Sequence, residues 1–220
     1  MRRIWPIITE SFPFCYAIVR MRSLLEEGLK RFSIPYDEEI LEKLCLFMSE
    51  LTRWSRRMNL TGLKDPCLII RRLLVDSFFL FGRLEGSSAV DMGSGAGIIA
   101  VPLSLLRRGA TIFSVDRTLK KIQFQRHMKR LLGLDNLIPI HGRIEEIEPL
   151  LAHLAFAKGF GSKEKALRAA SRHLMEGGRL LLLKGQREKA ETFPGFLLEE
   201  CSDHTLSHER SLRLLVYRKL

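Results

Sequence analysis

Cysteine is scarce in this chain and is not arranged for either of its usual structural roles. The 220 residues include four cysteines, which lie far apart and form no Cys-x-x-Cys pair. Histidine is not clustered either, so the sequence predicts neither a metal site nor a disulfide framework. Because unpaired cysteines are typical of a reducing compartment, we expect a cytoplasmic protein.

Long apolar runs are also missing. No segment approaches the roughly 20 consecutive apolar residues that a membrane-spanning helix requires, so neither a membrane span nor a membrane partner is expected. Hydrophobic residues nevertheless make up 46% of the chain. That share is enough to bury the core of one α/β domain with a small additional element.

Acidic residues are outnumbered, with 25 aspartates and glutamates against 36 lysines and arginines, a net charge of +11. This surplus indicates a polyanion such as nucleic acid or an anionic membrane as partner, and a merely solvated basic surface is the alternative. Five arginines lie around Trp54, which continues the apolar face of its helix and is expected to pack in the core. The candidate RNA-binding residues are Arg53, Arg56, Arg57, Arg71 and Arg72.

The chain is organised around residues 90–97, Val-Asp-Met-Gly-Ser-Gly-Ala-Gly. An apolar run, three spaced glycines and a second apolar stretch predict a strand, a tight turn and a helix. Glycine is needed where the backbone turns with positive φ or lies against a ligand. We expect this loop to present free backbone N–H groups to a nucleotide-like ligand.

The glycine spacing distinguishes between nucleotide ligands. A dinucleotide fingerprint requires Gly-x-Gly-x-x-Gly, and Ile98 stands where its last glycine belongs, so a nicotinamide enzyme is not favoured. Asp116 closes the next apolar run about twenty residues after Gly93, where an acid accepts hydrogen bonds from both ribose hydroxyls. The loop and this acid together resemble the cofactor site of class I S-adenosylmethionine-dependent methyltransferases.

The chain divides into three parts. Residues 1–20 are predicted to form a poorly ordered extension, and residues 21–85 an N-terminal helical subdomain in which apolar residues recur every three to four positions. Residues 86–220 alternate apolar strands with helices, which predicts a mostly parallel α/β sheet. Pro139 in the third strand indicates either a strand end or an edge strand.

Further motifs follow one another along the chain. They are Trp54 with Asn59-Leu60-Thr61, Asp65-Pro66, Arg72 with Asp76-Ser77, the glycine loop, Pro102-Leu103, Lys120-Lys121, Arg143-Ile144-Glu145-Glu146 and Leu183-Lys184-Gly185. Together they resemble the GidB (RsmG) family of bacterial small-subunit ribosomal RNA methyltransferases, which act on guanine N7. The resemblance covers about residues 21–220.

The resemblance implies a class I methyltransferase fold, Rossmann-like, with a small N-terminal helical subdomain. It also implies S-adenosyl-L-methionine as cofactor and 16S ribosomal RNA, or the small-subunit particle, as partner. Adenine is expected near Ile144 and Glu145, and ribose at Asp116. The candidate cofactor-binding residues are Asp91, Gly93, Ser94, Gly95, Gly97, Ile98, Asp116, Ile144 and Glu145.

The chain departs from the family pattern at three places. Ile99-Ala100 stands for Pro-Gly, and Leu73 stands for a histidine. A Ser-Arg-Ala segment, whose arginine lines the cofactor site in the family, aligns with Lys158-Gly159-Phe160. Two alternatives therefore stay open: a relative that binds RNA without methylating it, and a methyltransferase of small molecules.

No catalytic acid or base is assigned. Guanine N7 is an unprotonated acceptor on the major-groove edge of the base, so it attacks a methyl group without first losing a proton. The histidines are interpreted as surface or packing residues rather than proton carriers.

Overall fold

The computed structural model describes residues 12–208 and 210–220. Its helices are α1 (Phe12–Arg31), α2 (Glu38–Met58), α3 (Pro66–Ile69), α4 (Val75–Phe81), α5 (Ala100–Leu106), α6 (Leu119–Leu132) and α7 (Lys163–His173). Within the described ranges, no helix combines the length and the apolar character that crossing a bilayer demands.

Seven strands form one sheet in the order β3-β2-β1-β4-β5-β7-β6. They are β1 (Ser88–Met92), β2 (Thr111–Asp116), β3 (Leu137–His141), β4 (Ala152–Lys158), β5 (Leu174–Lys184), β6 (Phe196–Ser207) and β7 (Arg210–Lys219). The first five pair in parallel, whereas β7 runs antiparallel to both β5 and β6. The carboxyl ends of β1 to β4 therefore meet at one edge of the sheet.

Strand β5 shows why the central strands appear in the sequence as unbroken apolar runs. Leu180 and Leu182 face α7, whereas Leu181 and Leu183 face the other helices, and all four are buried. A strand covered on both faces has no solvent side, so it does not alternate with polar residues. At the edge of the sheet, β3 accommodates Pro139, as the sequence predicts.

The N-terminal helices pack on the same sheet face as α5 and α6. Leu25 of α1, Leu44 of α2 and Phe78 of α4 belong to one buried cluster with Phe124 of α6 and Leu214 of β7. Trp54 packs against this cluster with its ring centroid 5.4 Å from that of Phe124, so the expectation of core packing is confirmed. The helical segment thus shares its core with the sheet.

Between α2 and the sheet, the four-residue helix α3 is followed by a π-helical segment, Ile70–Leu74, which continues directly into α4. π-Helical turns are often found at functional sites. The extension predicted over residues 1–20 lies outside the described residues at 1–11, and residues 12–20 form the beginning of α1.

Gly28 of α1 packs directly against Phe78 of α4. An added Cβ would lie 2.6 Å from the Phe78 ring, which is fully buried. We expect Gly28→Ala to lower the free energy of unfolding by about 1–3 kcal/mol through overpacking, despite the better helix propensity of alanine. Urea unfolding measures this change.

Gly109→Ala is the matched control, because no atom lies within 4 Å of the added Cβ. The cause is isolated by the double variant Gly28→Ala/Phe78→Leu, which should lose less stability than the sum of the two single variants. Strict additivity would contradict the proposed collision between the two side chains.

Candidate functional site

The glycine loop, residues 93–97, is tied to the neighbouring strand β2. The Gly93 and Ser94 N–H groups both donate to the Val115 carbonyl oxygen, at 2.9 and 3.0 Å. The Gly95 N–H donates to Asp116 Oδ2 at 2.9 Å, and the Gly97 N–H donates to the Ser94 carbonyl at 3.0 Å.

These bonds correct the expectation that the loop offers free N–H groups to a ligand. Four of its N–H groups donate to acceptors within the protein. The loop is therefore suited to a ligand that lies close against the backbone, rather than to a phosphate held by N–H groups. Gly93, Gly95 and Gly97 all have positive φ, between 61° and 71°. A side chain there would be strained, and the ligand side of the loop stays bare.

Gln125 of α6 holds the glycine loop by hydrogen bonds, a role that the sequence analysis did not identify. Its Nε2 donates to Ser94 Oγ and to the Gly95 carbonyl, each at 2.9 Å, and its Oε1 accepts from Ser114 of β2. Gln125 is fully buried, so the amide fixes the loop against both neighbouring elements.

Asp116 ends β2 with its carboxylate only partly engaged. Oδ2 accepts the Gly95 N–H and Oδ1 accepts the Thr118 N–H at 2.8 Å, while Lys121 Nζ lies 4.0 Å from Oδ2. Each carboxylate oxygen has two lone pairs. One acceptor site on each oxygen therefore remains, which suits a pair of vicinal hydroxyl groups.

A cavity of about 350 Å³ opens over this edge of the sheet. It brings together four of the nine predicted cofactor-binding residues: Gly93, Asp116, Ile144 and Glu145. Its lining also includes residues that the sequence analysis did not assign, among them Lys121, Arg143, Phe160 and Lys165. Asp91, Ser94, Gly95, Gly97 and Ile98 support the loop beside the cavity and do not line it. No cluster of three metal-ligating side chains occurs in the described part of the chain.

Helix α7 fastens the loop that carries Ile144 and Glu145. The His173 ring nitrogen Nε2 donates to the Ile144 carbonyl at 2.7 Å, and Arg172 Nη1 donates to the Glu145 carbonyl at 3.2 Å. Lys165 Nζ lies 3.2 Å from Glu145 Oε1. Burial lowers the pKa of His173, which keeps the ring neutral, as this single donor role requires.

Phe160 is the aromatic side chain in the wall of the cavity. It lies between Gly159 and Gly161, both with positive φ, and a Cβ on Gly93 would lie 2.9 Å from its ring. Lys165 Nζ lies 5.4 Å from the ring centroid. The glycine at position 93 thus makes room for this ring as well as for a ligand.

Asp91, at the carboxyl end of β1, is a buried carboxylate. Its Oδ2 has no hydrogen-bond partner among the described residues. Burial raises its pKa from 3.8 to about 7, opposed by the Lys158 charge and by the Ala100 N–H and reinforced by Asp116. The Ala100 N–H thus stabilises this carboxylate, although Ile99-Ala100 stands where the family has Pro-Gly.

The predicted RNA-binding arginines lie in two places. Arg53, Arg56 and Arg57 are exposed at the end of α2, whereas Arg71 lies in a separate crevice between α1 and the β6–β7 hairpin. Arg72, on the same π-helical segment, is exposed. The five arginines therefore come from two segments, the end of α2 and the π-helical segment.

Helix α2 runs toward the edge of the sheet that carries the glycine loop. Its first turn contacts Arg108, which precedes β2, through Glu39 Oε1 at 3.3 Å. Near its other end, Trp54 stacks on His127 of α6, with centroids 5.2 Å apart, and α6 starts beyond the carboxyl end of β2. His127 is a packing residue, as predicted, and also contacts Glu50 at 2.7 Å.

Unpaired cations gather where α2 meets α6. We call this surface the α2–α6 basic face and define it by five exposed residues that form no salt bridge with another described residue: Arg56, Arg57, Lys120, Arg126 and Arg130. Arg53 lies beside them but pairs with Glu50 at 2.6 Å. Unpaired positive charge of this kind is available to an anionic partner.

The ionisation of Asp91 predicts a pH-dependent stability. In the unfolded chain this carboxyl ionises near its ordinary pKa of 3.8, whereas in the folded protein it stays protonated up to about pH 7. The folded state therefore binds the extra proton between these values, and the free energy of unfolding falls as the pH rises through this window. Asp91→Asn should abolish this contribution, which amounts to a few kcal/mol.

Urea unfolding at pH 5 and pH 8 checks this expectation, and the stabilisation of Asp91→Asn relative to the parent should be larger at pH 8. Asp135→Asn, a change of an exposed carboxylate, serves as the control. Equal differences at the two pH values would contradict the assignment of a raised pKa to Asp91.

Comparisons with solved structures show the fold. A SAM-dependent methyltransferase from Aquifex aeolicus superposes with a TM-score of 0.56 at 15% identity, covering 79% of this chain and 98% of that one. TrmN from Thermus thermophilus superposes with a TM-score of 0.54 at 22% identity, covering 67% and 48%. These likenesses confirm the predicted class I methyltransferase fold.

Sequence comparisons are more specific. The family model for GidB, rRNA small subunit methyltransferase G, matches residues 40–202. Proteins called ribosomal RNA small subunit methyltransferase G are 34% identical in Bordetella pertussis, covering 74% of this chain and 75% of theirs, and 35% identical in Geobacter metallireducens, covering 78% and 80%. The relative in Syntrophotalea carbinolica is 30% identical over 90% of this chain and 98% of its own. The chain therefore belongs to the GidB family of small-subunit ribosomal RNA methyltransferases.

Proposed function

We propose that the protein transfers a methyl group from S-adenosylmethionine to N7 of a guanine in 16S ribosomal RNA, in the bacterial cytoplasm. The observation that carries the proposal is the cavity at the carboxyl ends of β1 to β4, which joins the glycine loop to Asp116, Ile144 and Glu145. Family membership supplies the substrate class.

The residues present fit this cofactor. S-Adenosylmethionine carries no phosphate, which agrees with a loop whose N–H groups are used internally. Asp116 retains an acceptor site on each oxygen for the two ribose hydroxyls, and the loop at Ile144 and Glu145 is held in place for the adenine. Once bound, the cofactor supplies an electrophilic methyl group on a sulfonium.

The protein's task in this reaction is to position its substrates. Guanine N7 carries a lone pair and no proton, so no side chain has to act as a general base. The residues of the site bind, orient and exclude water, which is sufficient for a methyl transfer of this type. The π-helical segment and the α2–α6 basic face would hold the RNA backbone while the base enters the cavity.

The two alternatives kept open from sequence are not favoured. A methyltransferase of small molecules has no need for a face of unpaired cations. A relative that has lost methylation would be expected to lose its cofactor cavity, whereas here the cavity joins the glycine loop to Asp116, Ile144 and Glu145.

Cofactor binding is tested by calorimetric titration of the protein with S-adenosylmethionine, followed by a methyl-transfer assay on small-subunit RNA. We expect Asp116→Ala to weaken cofactor binding by about ten- to a hundredfold, because two charge-assisted hydrogen bonds are lost. Asp135→Ala is the control on an exposed carboxylate. If the parent protein fails to bind at millimolar cofactor, the proposal is wrong.

The assay also locates the methyl group and defines the substrate. Comparing naked 16S RNA with the assembled small-subunit particle shows which form is methylated. Because N7-methylguanine sites are cleaved by mild chemical treatment, strand scission after the reaction distinguishes N7 from other positions. A methyl group on another atom would contradict the assignment to N7 but not the proposed methyltransferase activity.

RNA binding through the α2–α6 basic face predicts a salt effect. The double variant Arg56→Ala/Arg57→Ala should weaken RNA binding and lower the slope of log K against log salt by about 1 to 2, since fewer counterions are released. Filter binding at several salt concentrations measures both. Arg168→Ala, an exposed arginine on α7 at the opposite sheet face, should leave the slope unchanged; equal losses in both variants would contradict a localised surface.

A further inference from the structure

The lining of the cavity follows the order of the strands that end there. Arg143, Asp116, Gly93 and Phe160 lie at or just after the carboxyl ends of β3, β2, β1 and β4, and all four line the cavity. The sheet has these strands in the same order. Two strand spacings, roughly 10 Å, separate the ends of β2 and β4. Phe160 therefore lies at the β4 side of the cavity, away from Asp116.

The Phe160 ring is held in place by its neighbours but is only partly buried. Part of the ring packs on the apolar cluster beneath α7. Gly93 lies against its edge, where an added Cβ would be 2.9 Å from ring atom Cδ2. Lys165 Nζ lies 5.4 Å from the ring centroid. The rest of the ring lines the cavity as a fixed aromatic surface.

An aromatic surface in a cavity is suited to a purine, which stacks on it. Two purines take part in the proposed reaction, the adenine of the cofactor and the target guanine. With ribose at Asp116 of β2 and adenine at the loop that follows β3, the cofactor extends its sulfonium toward β1 and β4. The strand order therefore favours the guanine as the purine that meets Phe160.

We propose that the target guanine stacks on Phe160, which positions its N7 atom for methyl transfer. The inference rests on the proposed function. The lone pair of N7 lies in the plane of the base, so a guanine held flat on the ring has this lone pair confined to a fixed plane. The N7–carbon bond forms as the carbon–sulfur bond breaks and leaves its electron pair on sulfur, and no proton moves.

Stacking on Phe160 also offsets part of the cost of exposing the base. A guanine that enters the cavity leaves its stacked neighbours in the RNA, and enzymes that modify bases hold the extruded base between aromatic or apolar side chains. The Phe160 ring replaces one of the lost stacking partners. This residue therefore acts on the RNA substrate and on the rate of transfer, and not on cofactor affinity.

The experiment compares Phe160→Leu, which removes the aromatic surface, with Phe160→Tyr, which keeps it. Methyl transfer to small-subunit RNA gives kcat and KM, and calorimetric titration with S-adenosylmethionine gives the Kd of the cofactor. We expect kcat/KM for the RNA to fall about ten- to a hundredfold in Phe160→Leu, because one base–aromatic stack is lost. The Kd should stay unchanged, and Phe160→Tyr should retain the activity of the parent.

Phe193→Leu is the matched control. Phe193 is also a partly buried aromatic residue, with its ring centroid 6.2 Å from that of Phe196, and it does not line the cavity. Its replacement should leave kcat/KM and the Kd unchanged, and urea unfolding compares the stability of the variants. If Phe160→Leu does not fold, Phe160→Met takes its place.

The possible outcomes separate the inference from the proposed function. Unchanged transfer by Phe160→Leu in an active parent background would overturn the role of Phe160. Cofactor binding weakened as much as transfer would put the adenine on the ring, and would also overturn the assignment to guanine. Failure of the parent to bind the cofactor or to methylate the RNA would instead overturn the proposed function.

Discussion

The site depends on the parallel pairing of β1 with β2 on one side and β4 on the other. This register places Met92 beside Val115 and Ala157, so three strands end together. The Val115 carbonyl then accepts two N–H groups of the glycine loop, and Asp116 accepts a third. A shift of one residue would turn every side chain to the other face of the sheet and separate these partners.

The two faces of the sheet contribute differently to this edge. On one face, α7 holds the loop at Ile144 and Glu145 through His173, Arg172 and Lys165. On the other face, α6 braces the glycine loop through Gln125 and, together with α2, presents unpaired cations. The helices on the two faces of the sheet therefore fix two different features at its carboxyl end, the loop at Ile144 and Glu145 and the glycine loop.

Charge near the cavity is kept at a cost to folding. Asp91 is buried with an unpartnered oxygen, and Asp76 is buried between two cations. Buried carboxylates of this kind seldom stabilise a protein relative to apolar residues of similar size. They lie on α4 and at the end of β1, and the cations that contact Asp76 come from β4 and β7.

The features that depend on neighbouring residues could be predicted from the sequence. The glycine loop, the acid at Asp116 and the edge position of Pro139 follow from local backbone preferences and short periodicities. The folded chain was needed to show that four N–H groups of the loop have acceptors within the protein, that Arg71 lies in the crevice between α1 and the β6–β7 hairpin, and that Lys158 contacts Asp76. Such contacts join residues far apart in the chain, and no local pattern encodes which distant partner a charged side chain meets.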